Sequence, residues 1–160
     1  MKAKHYHPVG LVQRWFSYDP DTGLLNRKLK RSSNHPDTLN PTRERVDFFG
    51  HRYRVTHIIW AVHFGKWPDE EIDHIDHNHN NNRLINLREA TRSENMQNRR
   101  WSNPNGKGVT YQDGRPSPWQ AQIAVEGKKI HLGFFGSKEE AAKAYIEAAI
   151  HYHGEFACLK

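Results

Sequence analysis

A chain of 160 residues with 36% hydrophobic content holds one ordinary domain or two small ones, and neither half can bury more than a modest core. Its 24 lysines and arginines outnumber 18 acidic residues, and the resulting charge of +6 favours a polyanionic partner through counterion release. The single cysteine, Cys158, excludes an internal disulfide framework and any zinc site built from several thiolates, and no apolar run suits a signal peptide or a membrane span, so a soluble, intracellular protein is predicted.

In chain order, residues 15–18 and 24–29 flank the turn-rich Asp19-Pro20-Asp21-Thr22-Gly23 and predict a hairpin. Residues 31–43 are polar and proline-containing and read as a loop. Residues 46–49 and 52–55 around Gly50-His51 predict a second hairpin, and residues 57–64 a short buried helix stopped by Gly65 and Pro68. His57 and His63 on that helix read as packed residues, and His5 and His7 as part of an unanchored terminus.

Residues 70–100 carry the densest polar chemistry. Apolar Ile72, Ile75, Leu84 and Leu87 bracket a polar cluster and suggest two short extended pieces joined by an asparagine-rich loop, residues 77–83. Thr91 followed by Glu94 has the spacing of a capping box, so a helix should start near Arg92 with Asn95 in its first turn. Hydrolysing a phosphodiester requires a water to lose a proton, the charge on the phosphate to be neutralised and the leaving oxygen to be stabilised. A near-neutral imidazole can take the proton, and a hard cation on carboxylate and amide oxygens can serve the other two tasks. Asp73, His74 and Asn95 are residues of these types.

Asp73-His74, Asn86 twelve positions after His74 and Asn95 nine further on resemble the HNH endonuclease motif with its ββα-metal fold. The surrounding pattern, DHIDxNxxNNRxxNLR followed by TRSENMQNR, is similar to the phage and homing-type branch, and YDPDTGLL resembles the start of such phage proteins. The resemblance implies that His74 is the general base, that Asp73 and Asn95 ligate one divalent metal, and that Asn86 holds the loop orienting His74. Mg²⁺ is the leading metal, with Mn²⁺, Zn²⁺ or Ni²⁺ as alternatives, and Arg83 and Arg88 are candidate phosphate contacts. Where many relatives carry glycine after the Ile-Asp pair, this chain has His77, with His79 close behind. Either could add a ligand and favour zinc or nickel, or both are exposed loop residues. A lone Asp-His pair is usually a surface feature; agreement of spacing, flanking apolar residues and helix weighs against that reading here.

After a Pro/Asn/Gly stretch at 101–107 the pattern changes. In residues 119–125, Trp119, Ala121, Ile123 and Val125 share one face, while Gln120, Gln122 and Ala124 share the other. Glu126-Gly127 marks a turn into residues 128–132, with Ile130 and Leu132 opposite Lys129 and His131; residues 108–112 supply a third strand. Ser137 and Glu140 predict another capping box, and the helix after it aligns Ala141, Tyr145, Ala148 and Tyr152 and closes at Gly154. His151 and His153 fall near its C-terminus, where protonated histidine interacts favourably with the dipole. One sheet face is thus helix-covered and the other polar and basic.

Residues 108–157, with the LGxFxxxEEAAxAY and HGEFA elements, resemble an AP2 DNA-binding domain. By that resemblance the sheet enters the major groove, and DNA-facing positions fall on Thr110, Gln112, Gln122, Ala124, Lys129 and His131. Thr110, Gln112 and Ala124 replace arginines usual in plant relatives, which implies weaker base reading.

The expected fold is α+β: a ββα-metal nuclease domain with N-terminal hairpins over 1–100, a linker over 101–107, and a three-stranded antiparallel sheet packed on one helix over 108–160. The expected function is metal-dependent cleavage of double-stranded DNA leaving 3′-hydroxyl and 5′-phosphate ends, by a monomer or weak dimer with no protein partner evident, in the cytoplasm of a bacterial host if phage-encoded. Two alternatives stand beside it: a non-cleaving DNA-binding regulator with a degenerate nuclease core, and a zinc-stabilised module on His74, His77 and His79.

Overall fold

In a computed structural model, which describes residues 6–28, 39, 42, 44–99 and 104–159, each sheet forms between strands adjacent in sequence. The chain divides into two compact units, residues 1–91 and 92–160.

The first unit opens with a short helix, α1 (Val9–Trp15), that runs directly into β1 (Phe16–Asp19). β1 pairs antiparallel with β2 (Leu24–Arg27) around the expected turn. A second hairpin joins β3 (Arg45–Phe48) to β4 (His51–Arg54) through Phe49-Gly50, both at positive φ. The turn therefore lies one residue earlier than the sequence suggested. Helix α2 (Val55–Phe64) buries every residue from Val55 to Ala61 and is the centre of the core, which includes Val12, Phe16, Val46, Phe48, Ile58, Ile59 and Ile72. Fully burying side chains such as Phe16, Ile58 and Ile59 is worth about 1.5–3 kcal/mol each. The sequence supplies β5 (Glu71–His74), a 3₁₀ turn at Leu84–Asn86 and β6 (Leu87–Ala90), with β5 and β6 antiparallel.

Two expectations change in this unit. Helix α1 was not read from the sequence, because a single buried position, Val12, gives no period to detect. The terminus before it is also anchored: Trp67 Nε1 donates to the His7 carbonyl at 2.7 Å, and the Tyr6 ring stacks on Trp67 with centroids 4.5 Å apart. His5 lies outside the described residues, as does most of the loop predicted over 31–43; of that loop, Leu39 is buried in the core.

The second unit begins with α3 (Arg92–Asn98), which starts where the sequence placed it and packs on a C-terminal 3₁₀ turn at Gly154–Phe156. Lys107 donates its ammonium hydrogens to the carbonyls of Gln97 and Arg99, serving the acceptor end of α3. The expected linker lies partly outside the described residues, which resume at Pro104. Strands β7 (Val109–Tyr111), β8 (Trp119–Val125) and β9 (Lys128–Phe135) form one antiparallel sheet in the order β7-β8-β9. Helix α4 (Lys138–His153) carries the full Ser137/Glu140 capping box and packs on the sheet through Ala141, Tyr145, Ala149 and His153. Gly108, at φ 71°, makes that packing possible: a Cβ there would meet the Gln122 carbonyl and the Tyr145 ring at 2.3 Å.

The buried stripe of α4 differs from the expected one at its end. Tyr152 is 45% exposed, and His153 takes the inward position, with its Nε2 3.0 Å from the Ala124 carbonyl. Spacing of four from Ala141 leads to residue 153, so the helix end turns the imidazole inward, away from a surface role at the dipole.

Candidate active site and nucleic-acid face

The local chemistry of the first unit is set by the β5–β6 pairing. Asp73 lies opposite Arg88, and both Nε and Nη2 of Arg88 donate to Asp73 Oδ2 at 3.1 Å. Their side chains are 7% and 12% exposed, so this is a buried, charge-assisted pair rather than a surface contact. Arg88, a candidate phosphate contact by sequence, thus directs its guanidinium at the expected metal ligand. Arg83 is exposed at the end of the loop.

His74 ends β5 and is buried. Its Nε2 lies 2.9 Å from Asn82 Oδ1, also buried. With an oxygen as acceptor, Nε2 carries the proton and the ring's lone pair falls on Nδ1. Burial pushes the His74 pKa below the ordinary 6.5, and the charge of His79 acts in the same direction, against the Asn82 hydrogen bond and the carboxylates of Asp76 and Asp73. The imidazole is therefore held towards the neutral form that a general base needs.

The asparagine-rich loop is closed by its own side chains. Asn86 Oδ1 accepts from the Asp76 backbone N–H at 2.9 Å, while Asn86 Nδ2 donates to Asp76 Oδ1 at 2.9 Å and to the Asn81 carbonyl at 2.7 Å. Asp76 also accepts from the Asn78 backbone at 2.8 Å and from Asn81 Nδ2 at 2.7 Å. Burial by itself would raise the Asp76 pKa; the hydrogen bonds from Asn81, Asn78 and Asn86 overcome it and leave the carboxyl below its usual value. His77, within this turn, sits at φ 63°, in the left-handed region that favours glycine.

The first hairpin buttresses the same loop from outside. Tyr18 donates its hydroxyl to the Asn82 carbonyl at 2.7 Å, and the Leu84 N–H reaches the Pro20 carbonyl at 3.3 Å. Gly23 approaches so closely that a Cβ would lie 2.6 Å from the Arg83 nitrogen and 2.7 Å from the Asn82 carbonyl carbon. The DPDTG turn thus touches the backbone of the residue that holds His74.

The first unit brings together Asp73, His74 and Asn86, whereas Asn95, half-buried on α3, belongs to the second. Among the described residues no three His, Cys, Asp or Glu side chains gather as a metal site, and the rings of His74 and His79 stand edge-on at 5.3 Å. The zinc module on His74, His77 and His79 finds no support in that arrangement. Carboxylate and amide oxygens such as those of Asp73 and Asn95 are hard donors that suit Mg²⁺.

In the second unit, β8 and β9 pair Gln122 with His131 and Ala124 with Lys129, so these four share the face turned away from α4. The register shifts between Ala121 and Gln122, and Leu132 has no partner on β8. The bulge brings His131 and Phe134 to the same face, with ring centroids 4.8 Å apart, and the Arg115 guanidinium lies 4.3 Å over the Phe134 ring. Thr110 opposite Gln120 joins this face from β7. Gln112 Nε2 donates to Gln120 Oε1, and Gln120 Nε2 lies 3.1 Å from His131 Nδ1, so polar side chains run from just beyond β7 across β8 to β9.

Residues 53–97, spanning α2 through α3, match the family model described as HNH endonuclease. A protein of Acanthamoeba polyphaga mimivirus, described as an uncharacterized HNH endonuclease, is 37% identical over 108 residues, which cover 67% of this chain and 54% of the relative. An ethylene-responsive transcription factor-like protein of Arabidopsis thaliana is 54% identical over 43 residues, 27% of this chain and 18% of that protein. The chain combines an HNH segment with an AP2-like one. It spans about half of the first relative's length and under a fifth of the second's. No solved structure matches it. Among the described residues no helix is long and apolar enough to cross a membrane.

Sequence reasoning missed Asn82, Tyr18, Asp76, Gln120 and Phe134. Asn82 follows two other asparagines, and composition does not say which member of such a run turns inward. Phe134 was hidden by the bulge, which breaks the alternation that would have assigned its face. Asp76, Asn82 and Tyr18 did carry a signal: all three stand inside the quoted motifs of the HNH resemblance.

Proposed function

We propose that the protein is a metal-dependent DNA endonuclease in which His74 is the general base. The observation that carries this reading is the His74 Nε2–Asn82 Oδ1 hydrogen bond at 2.9 Å within the HNH segment, which puts the imidazole lone pair on Nδ1. His74 Nδ1 takes the proton of the attacking water, and the ring then holds it as an imidazolium beside the carboxylates of Asp73 and Asp76. Asn86 keeps the loop closed through Asp76 and Asn81, so the ring does not have to be ordered during the reaction. Asp73 and Asn95 would hold one divalent cation, Mg²⁺ being the best match to their oxygens. When bound, the cation supplies charge neutralisation on the phosphate and stabilises the leaving 3′ oxygen, so the products are 3′-hydroxyl and 5′-phosphate ends.

The nuclease portion covers 1–100 and the DNA-gripping portion 108–160, with 101–107 as a tether that raises the local concentration of duplex. Thr110, Gln112, Gln122, Lys129 and His131 contact DNA from the sheet face, and Arg83 meets a phosphate beside the nuclease core. A monomer with one such centre nicks one strand, and a weak dimer cuts both. Phage origin and action inside a bacterial cell belong to the same reading.

The Asp73–Arg88 ion pair favours a second reading. A carboxylate already engaged by a buried guanidinium suits a DNA-binding regulator that no longer cleaves. Supercoiled plasmid incubated with Mg²⁺ and with either the wild-type protein or His74→Ala separates the two. Nicking by the wild type that falls by about 10²–10⁴ in the variant supports the nuclease. Equal, negligible cleavage with retained binding supports the regulator.

A further inference from the structure

The β3–β4 hairpin sets two like charges side by side on its exposed face. Its register sets Arg45 directly opposite Arg54 and Asp47 opposite Arg52 on the exposed face, while Val46, Phe48 and Tyr53 are buried. Like charges directly opposite on neighbouring strands are destabilising. Asp47 pairs with Arg52 at 2.9 Å, but Arg45 and Arg54 have no hydrogen-bond or ion-pair partner among the described residues. The three arginines line a recess of about 380 Å³ together with Tyr6, Tyr53 and one carboxylate, Glu71. Glu71 is the first residue of β5, and with period-two alternation it shares a strand face with Asp73, about 7 Å away.

We infer that the exposed face of the β3–β4 hairpin is a second DNA contact, at which Arg45 and Arg54 grip the phosphodiester backbone of the duplex beside the Asp73–His74 centre. The occupant follows from charge: two adjacent guanidiniums without a carboxylate partner among the described residues match consecutive phosphates, and their mutual repulsion is relieved when a polyanion lies between them. The recess adjoins, through Glu71, the strand that carries the candidate catalytic residues. The inference rests on the endonuclease reading only for the identity of the polyanion.

The full-length protein carrying His74→Ala, without divalent metal, is titrated with fluorescent duplex DNA at several salt concentrations, beside the same protein with Arg45→Ala and Arg54→Ala added. Expected are weaker binding to every duplex sequence tried, a fall of about two in the slope of log K against log salt, and recovery of most of that slope with Arg45→Lys and Arg54→Lys. Thermal melting by circular dichroism checks the fold, and the Ala variant should melt no lower, since it removes a like-charge pair. An unchanged slope overturns the inference and leaves the arginines as charges that protect a hairpin edge. A slope loss seen only with single-stranded RNA overturns it too. Because no cleavage is measured, a fall of two in the slope upholds the contact even if the wild-type protein proves unable to nick DNA.

Discussion

Asn82 and His74 meet side chain to side chain, Oδ1 to Nε2 at 2.9 Å, across eight residues of sequence and out of solvent. This contact fixes which nitrogen of the candidate base holds the lone pair, so catalysis should respond to residue 82 through His74. Asn82→Ala removes the acceptor and lets the ring change tautomer; a loss of about 10–100-fold in kcat, with DNA binding unchanged, is expected. Asn82→Asp keeps an acceptor but adds a negative charge that stabilises the imidazolium.

The pH dependence separates these effects. A base must be neutral, and burial lowers the His74 pKa, so the acid limb of kcat/KM should lie below the ordinary 6.5 and activity should persist at mildly acidic pH. In Asn82→Asp the limb should move up, because the protonated ring now gains a charged partner. A pH–rate profile of both proteins checks the sign, and a limb that stays fixed would deny His74 the base role.

His77 offers a test in which a substitution improves the protein. Its φ of 63° imposes a left-handed backbone on a side chain with a Cβ, which costs about 1–2 kcal/mol. Glycine relieves that strain but adds unfolded-state entropy of about 0.5–1 kcal/mol, leaving a net gain of up to about 1.5 kcal/mol for His77→Gly. Higher thermal stability with cleavage intact is expected. A variant that melts lower and loses bound zinc would instead restore the histidine-cluster reading.

Much of the second unit was legible because its signals are local. Strand alternation in 119–125, the Ser137–Glu140 box and the glycine at 154 each depend on near neighbours, and β8 and α4 follow them closely. The candidate site was legible only where a motif named a residue. Asp73, His74 and Asn86 share one unit, but the bonds that organise them run through Asn82, Asp76 and Tyr18, and the Tyr18–Asn82 contact joins residues 64 apart. Neither periodicity nor propensity carries information over such a distance. The Arg88–Asp73 pair was missed for a related reason: which charges face each other depends on strand register, and the loop between β5 and β6 gives no turn type that fixes it.

The same register makes Arg88 a sensitive probe of the two functional readings. Arg88→Ala leaves the buried Asp73 carboxylate without the guanidinium that now satisfies Oδ2, and losing one partner of such a pair typically costs about 3–5 kcal/mol. Divalent metal should partly restore stability if Asp73 is a ligand, since a bound cation replaces the missing positive charge and stabilises the folded state by mass action. A rise in Tm on adding Mg²⁺ that is larger for Arg88→Ala than for the wild type is therefore expected. Equal shifts in the two proteins would separate Asp73 from the metal.

The first hairpin provides the last test, because it reaches the site through the backbone of Asn82, Arg83 and Leu84. Tyr18→Phe deletes one hydrogen bond to the Asn82 carbonyl and should cost about 1 kcal/mol. Gly23→Ala is more severe: the new methyl would stand 2.6 Å from the Arg83 nitrogen, and φ 76° would strain the residue itself. The left-handed penalty and overpacking together amount to about 2–5 kcal/mol. At roughly 4–8 °C per kcal/mol for a unit of this size, the two substitutions differ clearly in thermal melting. If the turn also positions Asn82, Gly23→Ala should lower kcat at temperatures where the protein remains folded, while KM for DNA changes little. A variant that loses stability but keeps its full kcat would reduce the hairpin to scaffolding and leave Asn82 positioned by the asparagine-rich loop alone.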